Sequence, residues 1–308
     1  MRNSTLGSSG VQVSEICLGG NTFGNPCDQA TTSRIVGKAL DLGVNFIDTA
    51  DRYANGVSEE FIGNAVKGHR DDVVIATKTG ARYEPGWEAG GRLTRRRIAA
   101  KLEASLRRLQ TDRIDVYYCH FPDPLTPIEE TLRVLDDLVR AGKILYPACS
   151  NFVGWELADI AHICTAGRYA PMVVAQHRYN LINRAIEAEV IPAAEKFGMA
   201  IVAYSPLAAG FLTGKYRSNE PLPPGSRFAG SADYRDMLLT EANFQALERY
   251  ESYAAERGAT VAELALAWLL AQPAVCSAIV GATSEIQVEQ NIKAAQFTLS
   301  YEESRQLT

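Results

Sequence analysis

The strongest constraint on this chain is a repeat. A short apolar run suited to a buried strand is followed by a longer stretch with helical spacing, eight times over. Strands are expected near residues 14–19, 44–48, 73–78, 114–120, 145–150, 172–176, 200–205 and 277–281. Helices are expected near 30–42, 57–67, 95–109, 128–140, 154–165, 183–197, 260–271 and 284–295. Leu102, Leu106 and Leu109 form the apolar stripe of one helix, and Gly198 and Gly258 stand where two others stop. Such an α/β alternation builds a parallel sheet covered on both faces. Eight units closing on themselves make a (β/α)8 TIM barrel, and 308 residues suit one as a single domain over 1–308. An open, doubly wound sheet would carry a G-x-G-x-x-G loop after its first strand. Leu18-Gly19-Gly20-Asn21-Thr22-Phe23-Gly24 lacks that spacing. A β-hairpin is expected ahead of the barrel, over residues 5–13.

Two loops exceed the usual length, 79–94 and 207–240, and both are punctuated by Gly and Pro. Both follow the C-terminal ends of strands, the face where barrel enzymes keep their sites. An extra helix near 241–257 precedes the seventh barrel helix. The net charge of −5, with no long basic run, argues against nucleic acid or an anionic membrane as partner. The N-terminus has no apolar leader pattern, and no window approaches a membrane span. The six cysteines, at 17, 27, 119, 149, 164 and 276, include no C-x-x-C pair and are expected to be reduced, structural thiols. The expected location is cytoplasmic.

Three strands end in an ionisable side chain. Val44 to Ile47 runs into Asp48, with Tyr53 five residues on; Val73 to Thr77 runs into Lys78; Ile114 to Cys119 runs into His120. A charge at the mouth of a buried strand is costly unless it is paired or used. Lys78 near Tyr53 would favour the phenolate, and a lowering of about 2 pKa units corresponds to roughly 2.7 kcal/mol. Asp48 would pair with Lys78, and His120 would hydrogen-bond a substrate oxygen. Together they read as a general-acid site for a carbonyl oxygen. No conventional nucleophile and no metal-ligand spacing accompany them, so no metal is expected. A Schiff-base use of Lys78 is a weaker rival reading.

These residues sit in longer motifs. Asn45-Phe46-Ile47-Asp48-Thr49-Ala50-Asp51-Arg52-Tyr53, then Asn55-Gly56-Val57-Ser58-Glu59-Glu60-Phe61-Ile62-Gly63, resembles the N-F-(I/F)-D-T-A-x-x-Y…G-x-S-E-x-x-(I/L)-G signature of the aldo-keto reductases. Ile75-Ala76-Thr77-Lys78, Tyr118-Cys119-His120-Phe121-Pro122-Asp123, Ser150-Asn151-Phe152 and Tyr204-Ser205-Pro206-Leu207 extend the likeness over essentially the whole chain. The subtype resembles bacterial members related to potassium-channel β subunits. The resemblance implies reduction of a small carbonyl substrate, with Asp48, Tyr53, Lys78 and His120 as catalytic residues and NADPH as cofactor, NADH being the alternative. It also implies a cofactor site. Ser150, Asn151 and Gln176 would hold the carboxamide and Tyr204 would stack on the nicotinamide. Ser205, Leu207, Gly210 and Lys215 would follow the pyrophosphate, and Gly281, Thr283, Gln287 and Asn291 the adenosine, with Gly20 and Asn21 beside the cofactor.

Two departures from the family pattern stand out. Residues 281–287 contain no Arg or Lys for a 2′-phosphate, and Glu285 adds negative charge. Gly20-Asn21 replaces bulkier residues and is expected to open the substrate side of the mouth, whose walls are expected to include Phe23, Tyr83, Trp87, Phe121 and Tyr179. A rival from another class is a nicotinamide-binding regulatory subunit that acts on a partner protein with little turnover.

Overall fold

The apolar runs become strands that close on themselves. The computed structural model describes residues 1–82, 91–218, 220–230 and 232–307. Strands β1 (Asn3–Thr5) and β2 (Gln12–Ser14) pair antiparallel, as the expected hairpin. The barrel strands are β3 (Ile16–Gly19), β4 (Phe46–Asp48), β5 (Val74–Thr79), β6 (Ile114–Cys119), β7 (Ile144–Ser150), β8 (Val174–Arg178), β9 (Ala200–Tyr204) and β10 (Val275–Gly281). Neighbours in sequence pair in parallel, and β10 pairs with β3 to close the ring.

Helices α1 (Gln29–Asp41), α2 (Val57–Ala65), α3 (Arg95–Leu109), α4 (Ile128–Arg140), α5 (Gly154–Gly167) and α6 (Val190–Lys196) fill the first six crossovers. After β9 come α7 (Ala232–Leu238), α8 (Glu241–Ala255) and α9 (Val261–Leu270); α10 (Glu285–Ala294) and α11 (Tyr301–Arg305) follow β10. Helix α8 is the expected insertion. Helix α6 is shorter than expected, because the Asn180 side chain accepts from the Ile182 and Asn183 amides and folds the preceding segment into a turn. All six cysteines are free and buried. Among the described residues no helix is long and apolar enough to cross a membrane.

One end of the barrel is plugged. Leu6 and Val13 of the hairpin join Cys17, Phe46, Tyr118 and Val202 in the interior apolar cluster. Gly7, at φ +57°, lies so close to the starts of β8 and β9 that a Cβ there would fall 2.0 Å from the Val173 carbonyl oxygen. With that end filled, a ligand must enter from the strand C-termini.

Outside the barrel, β8 carries His177, 5% exposed, whose Nε2 has no hydrogen-bond partner among the described residues. Burial pushes its imidazole down to about 4. The folded value lies below the unfolded 6.5, so His177 costs no stability above pH 6.5. As pH falls from there towards 4 the unfolded chain takes up a proton that the folded chain refuses, a loss of about 3 kcal/mol over the window. Urea unfolding at pH 7 and pH 4.5 is expected to show this slope, and His177→Gln is expected to flatten it. An unchanged slope in the variant would assign the acid sensitivity elsewhere.

Candidate active site

Side chains alternate inward and outward along a strand, so the inward set at the open end can be counted from the apolar plug beneath it. Phe46, Ala76, Tyr118, Ala148, Val174 and Val202 fill the interior. Two residues further along, with the same parity, come Asp48, Lys78, His120, Ser150, Gln176 and Tyr204. The remaining two strands place Gly19 and Gly281 opposite each other in register. Six adjacent strands thus deliver polar side chains to one layer; of the two glycines, Gly19 is packed so that a Cβ would fall 2.8 Å from Ile279 Cγ2, and Gly281 is exposed.

Within this layer the groups are joined. Lys78, fully buried, donates from Nζ to Asp48 Oδ1, to the Thr49 carbonyl oxygen at 2.8 Å and to Tyr53 Oη at 3.4 Å. Asp48 Oδ2 accepts from Gln176 Nε2 at 2.8 Å. The Asp48–Gln176 bond was not anticipated from sequence, where Gln176 is assigned only to a cofactor. Ser150 Oγ donates to the Gln176 carbonyl oxygen at 3.0 Å. Asn151, at φ +64°, donates to the His120 carbonyl oxygen at 3.0 Å and accepts from Tyr204 Oη at 2.8 Å. His120 stands edge-on to Tyr53, with ring centroids 6.3 Å apart, and its Nδ1 has no partner among the described residues.

Charge states follow from these contacts. Burial pushes the Asp48 carboxyl above its ordinary value, against the pull of Lys78 and Gln176. Burial works against the Lys78 ammonium, yet Asp48 and Tyr53 more than compensate and hold it above its ordinary value. Lys78 is therefore an ion-pair partner, not the free amine a Schiff base requires. Burial pushes the Tyr53 phenol up; Lys78 pulls it back, Asp48 adds to the rise, and the net value lies above 10. The expectation of a lowered Tyr53 is thereby corrected: desolvation outweighs the ammonium. Burial, with Lys78 and Arg52, holds His120 well below 6.5 and hence neutral.

Residues behind the layer hold it, and these were not singled out in sequence. After Tyr53 the chain turns through three left-handed residues, Ala54, Asn55 and Gly56. Arg108 of α3 lies against Gly56, where a Cβ would come 2.7 Å from its Cδ. The same Arg108 donates from Nε at 2.6 Å to Glu59, a fully buried carboxylate that also accepts from Thr77 Oγ1 at 2.6 Å. Glu59 and Arg108 thus tie the Tyr53 turn to the strand that carries Lys78. Arg108→Ala would strand the buried carboxylate and is expected to cost about 3 kcal/mol in urea unfolding. Glu59→Gln, which leaves a partly exposed arginine instead, is expected to cost less. The reverse order would remove Glu59 as the buried member of the pair.

The other expected residues divide into two groups. Ser205, Ala208, Ala209 and Gly210 all have left-handed φ, and Lys215 Nζ lies 3.3 Å from where a Gly210 Cβ would stand. Leu207 accepts from the Gly210 amide at 2.9 Å. Thr283 donates its amide to Gln287 Oε1 at 2.8 Å, and Asn291 reaches the Gly281 carbonyl oxygen at 3.3 Å. Asn21 is exposed, with Oδ1 close to Gly281. Glu285 is paired with Arg34 at 3.2 Å, so its charge is balanced.

Two expectations fail. Gly20 does not open the mouth: a Cβ there would meet Ser58 Oγ at 2.9 Å and the Asp48 carbonyl oxygen at 3.2 Å, so the glycine permits close packing. Tyr179 is no pocket wall. It is 1% exposed, packs on Trp268 at 5.1 Å and donates to Glu187. Phe23 is likewise fully buried, while Tyr83 and Trp87 lie outside the described residues.

Comparison with known proteins gives the family of the chain. The profile of the "Aldo/keto reductase family" matches residues 15–308. The chain is 39% identical to the "Uncharacterized oxidoreductase YrpG" of Bacillus subtilis (strain 168), covering 100% of this chain and 95% of that one. It is 35% identical to the "Probable voltage-gated potassium channel subunit beta" of Oryza sativa subsp. japonica, over 96% of this chain and 91% of the relative. It is 32% identical to the "L-glyceraldehyde 3-phosphate reductase" of Escherichia coli (strain K12), over 100% and 91%.

Proposed function

The chain belongs to the aldo/keto reductase family, and from that premise we propose that it reduces an aldehyde or ketone to an alcohol with NADPH, Tyr53 being the general acid. The observation that carries the reading is the hydrogen-bonded chain from half-buried Tyr53 through buried Lys78 and Asp48 to Gln176, with neutral His120 across from the phenol. Tyr53 gives the proton of its Oη to the carbonyl oxygen. The Lys78 ammonium, 3.4 Å away, then stabilises the phenolate left behind. Asp48 keeps that ammonium charged and aimed. The neutral His120 ring offers one N–H to the same oxygen and orients it.

The residues present fit a nicotinamide dinucleotide. Left-handed φ over 208–210 winds the backbone into a tight turn, its Ala208 and Gly210 amides held by the Ser205 and Leu207 carbonyl oxygens, and Lys215 brings a cation beside Gly210 for the pyrophosphate. Gly281, exposed at the end of β10, adds no side chain between that loop and Tyr53. Ser150, Asn151 and Gln176 would hold the carboxamide and Tyr204, steadied by Asn151, the ring face. Ser205, Leu207, Gly210 and Lys215 would hold the pyrophosphate. Gly20, Asn21, Gly281, Thr283, Gln287 and Asn291 would line the remainder. The reduced nicotinamide supplies the hydride that the carbonyl carbon receives.

The relative named as a glyceraldehyde phosphate reductase supports a carbonyl substrate. The relative named as a channel subunit favours a second reading, a binding subunit with little turnover. Absorbance at the reduced-nicotinamide band, with NADPH and NADH run in parallel against a reactive aromatic aldehyde, separates them. Consumption of either cofactor supports the reductase. Tight cofactor binding without consumption across a broad carbonyl panel would overturn it in favour of the second reading.

A further inference from the structure

Two guanidinium groups stand on the β4–β5 side of the mouth with no carboxylate among the described residues to hold them. Arg52 immediately precedes Tyr53 and is exposed. Its charge bears on both Tyr53 and His120. Arg82, on the loop that leaves β5, is exposed and places Cζ 4.8 Å from the centre of the Phe121 ring. That ring stacks in turn on His120, with centroids 5.0 Å apart and planes 16° from parallel. Arg82 is thus fixed, through one aromatic ring, against the imidazole that faces the reacting oxygen.

Among the described residues neither arginine makes an ion pair. Arg34, Arg95, Arg113, Arg133, Arg140 and Arg184 all lean on carboxylates. Lys101, the cation beside the neighbouring Asp51, is taken up by it at 3.4 Å. In a chain of net charge −5, two guanidiniums flanking the reacting groups run against the average charge. A cationic rim over a site concentrates anions there and offers them forked hydrogen bonds. The residues that fit the dinucleotide lie on the β7–β10 side, so its phosphates do not account for this pair.

We propose that the substrate is an aldehyde or ketone carrying an anionic group, a carboxylate or a phosphate ester, which Arg52 and Arg82 bind while Tyr53 and His120 hold the carbonyl oxygen. This deepens the carbonyl-reductase reading and rests on it. No bond to the anionic group forms or breaks: hydride adds to the carbonyl carbon, the Tyr53 proton adds to the oxygen, and the anion serves only for binding.

The experiment compares matched pairs on the whole protein: 4-formylbenzoate against methyl 4-formylbenzoate, and glyceraldehyde 3-phosphate against glyceraldehyde. For at least one pair kcat/KM is expected to favour the anion by about tenfold or more, and added potassium chloride is expected to narrow the gap. A preference confined to one pair identifies carboxylate or phosphate as the anion. Arg52→Ala and Arg82→Ala are each expected to cut the anionic-to-neutral ratio about tenfold. The corresponding Lys variants are expected to retain part of it, since they keep the charge and lose the fork. NADPH affinity, read by fluorescence titration, is expected to move far less than this ratio. Equal use of both members of each pair, or a ratio that survives both Ala variants, overturns the proposal and leaves the reductase reading standing. An equal loss in NADPH affinity would reassign the arginines to the cofactor and also overturn it. If wild type reduces no member of either pair, the reductase reading falls with it.

Discussion

Replacing Tyr53 with phenylalanine is expected to lower kcat/KM for carbonyl reduction by about 10²–10⁴-fold, the usual contribution of a positioned general acid, or roughly 3–5 kcal/mol. The substitution removes one oxygen whose contact in the fold is the 3.4 Å approach of Lys78. The ring stays to face His120, so thermal stability is expected to change by no more than about 1 kcal/mol. Cofactor affinity, measured by fluorescence titration, is expected to persist. The charge states add a second signature. Because burial holds the phenol above 10 and the imidazole below 6.5, neither group titrates between those values. The wild-type reductive rate is therefore expected to be level across that range, with an alkaline fall only above pH 10. A residual rate in the variant within a few-fold of wild type would remove Tyr53 from its role. A wild-type alkaline limb well below pH 10 would show that Lys78 dominates the phenol after all.

The barrel was legible because it is a pattern of long range and low detail: eight apolar runs, eight amphipathic ones, and punctuation between them. That Asp48, Lys78 and His120 would meet at one end of the barrel was legible because a charged side chain closing a buried strand is conspicuous against its neighbours, as Asp48 is after Phe46-Ile47. What was not legible depends on distances across the barrel. Gln176 lies 128 residues from the Asp48 oxygen it serves, and nothing local marks the pairing. Glu59 could have been suspected, since a carboxylate beside Ser58 at the start of an apolar helix reads as a helix-end charge; its burial against Thr77 and Arg108 is a tertiary fact. The direction of the Tyr53 shift was misjudged for a related reason. Sequence shows the neighbouring cation, whereas desolvation is set by what packs around the phenol in the folded chain. Gly20 was read as open space because the residue has no side chain, while the structure uses that absence to bring backbone against Ser58.

Lys78→Met is expected to abolish carbonyl reduction and to destabilise the fold by about 3–5 kcal/mol, because it leaves Asp48 buried without its counter-charge. Gln176 remains on Oδ2, so the carboxyl is expected to take up a proton at near-neutral pH. Asp48→Asn strands the ammonium instead and is expected to cost a similar amount, with Thr49 and Tyr53 still accepting from it. The informative protein is the double variant. Removing both charges together avoids an uncompensated ion, and pairs of this kind can be replaced by neutral groups at little net cost. Its stability, from urea unfolding, is therefore expected to exceed that of either single variant, a coupling of about 2–3 kcal/mol. Its activity is expected to remain at the level of Lys78→Met, because the phenolate left by proton donation has no cation beside it. Recovered stability without recovered turnover would separate the two duties of the pair. Additive losses in stability would instead mean that Asp48 and Lys78 are held by their other neighbours, and that the ion pair has no structural part in the barrel mouth.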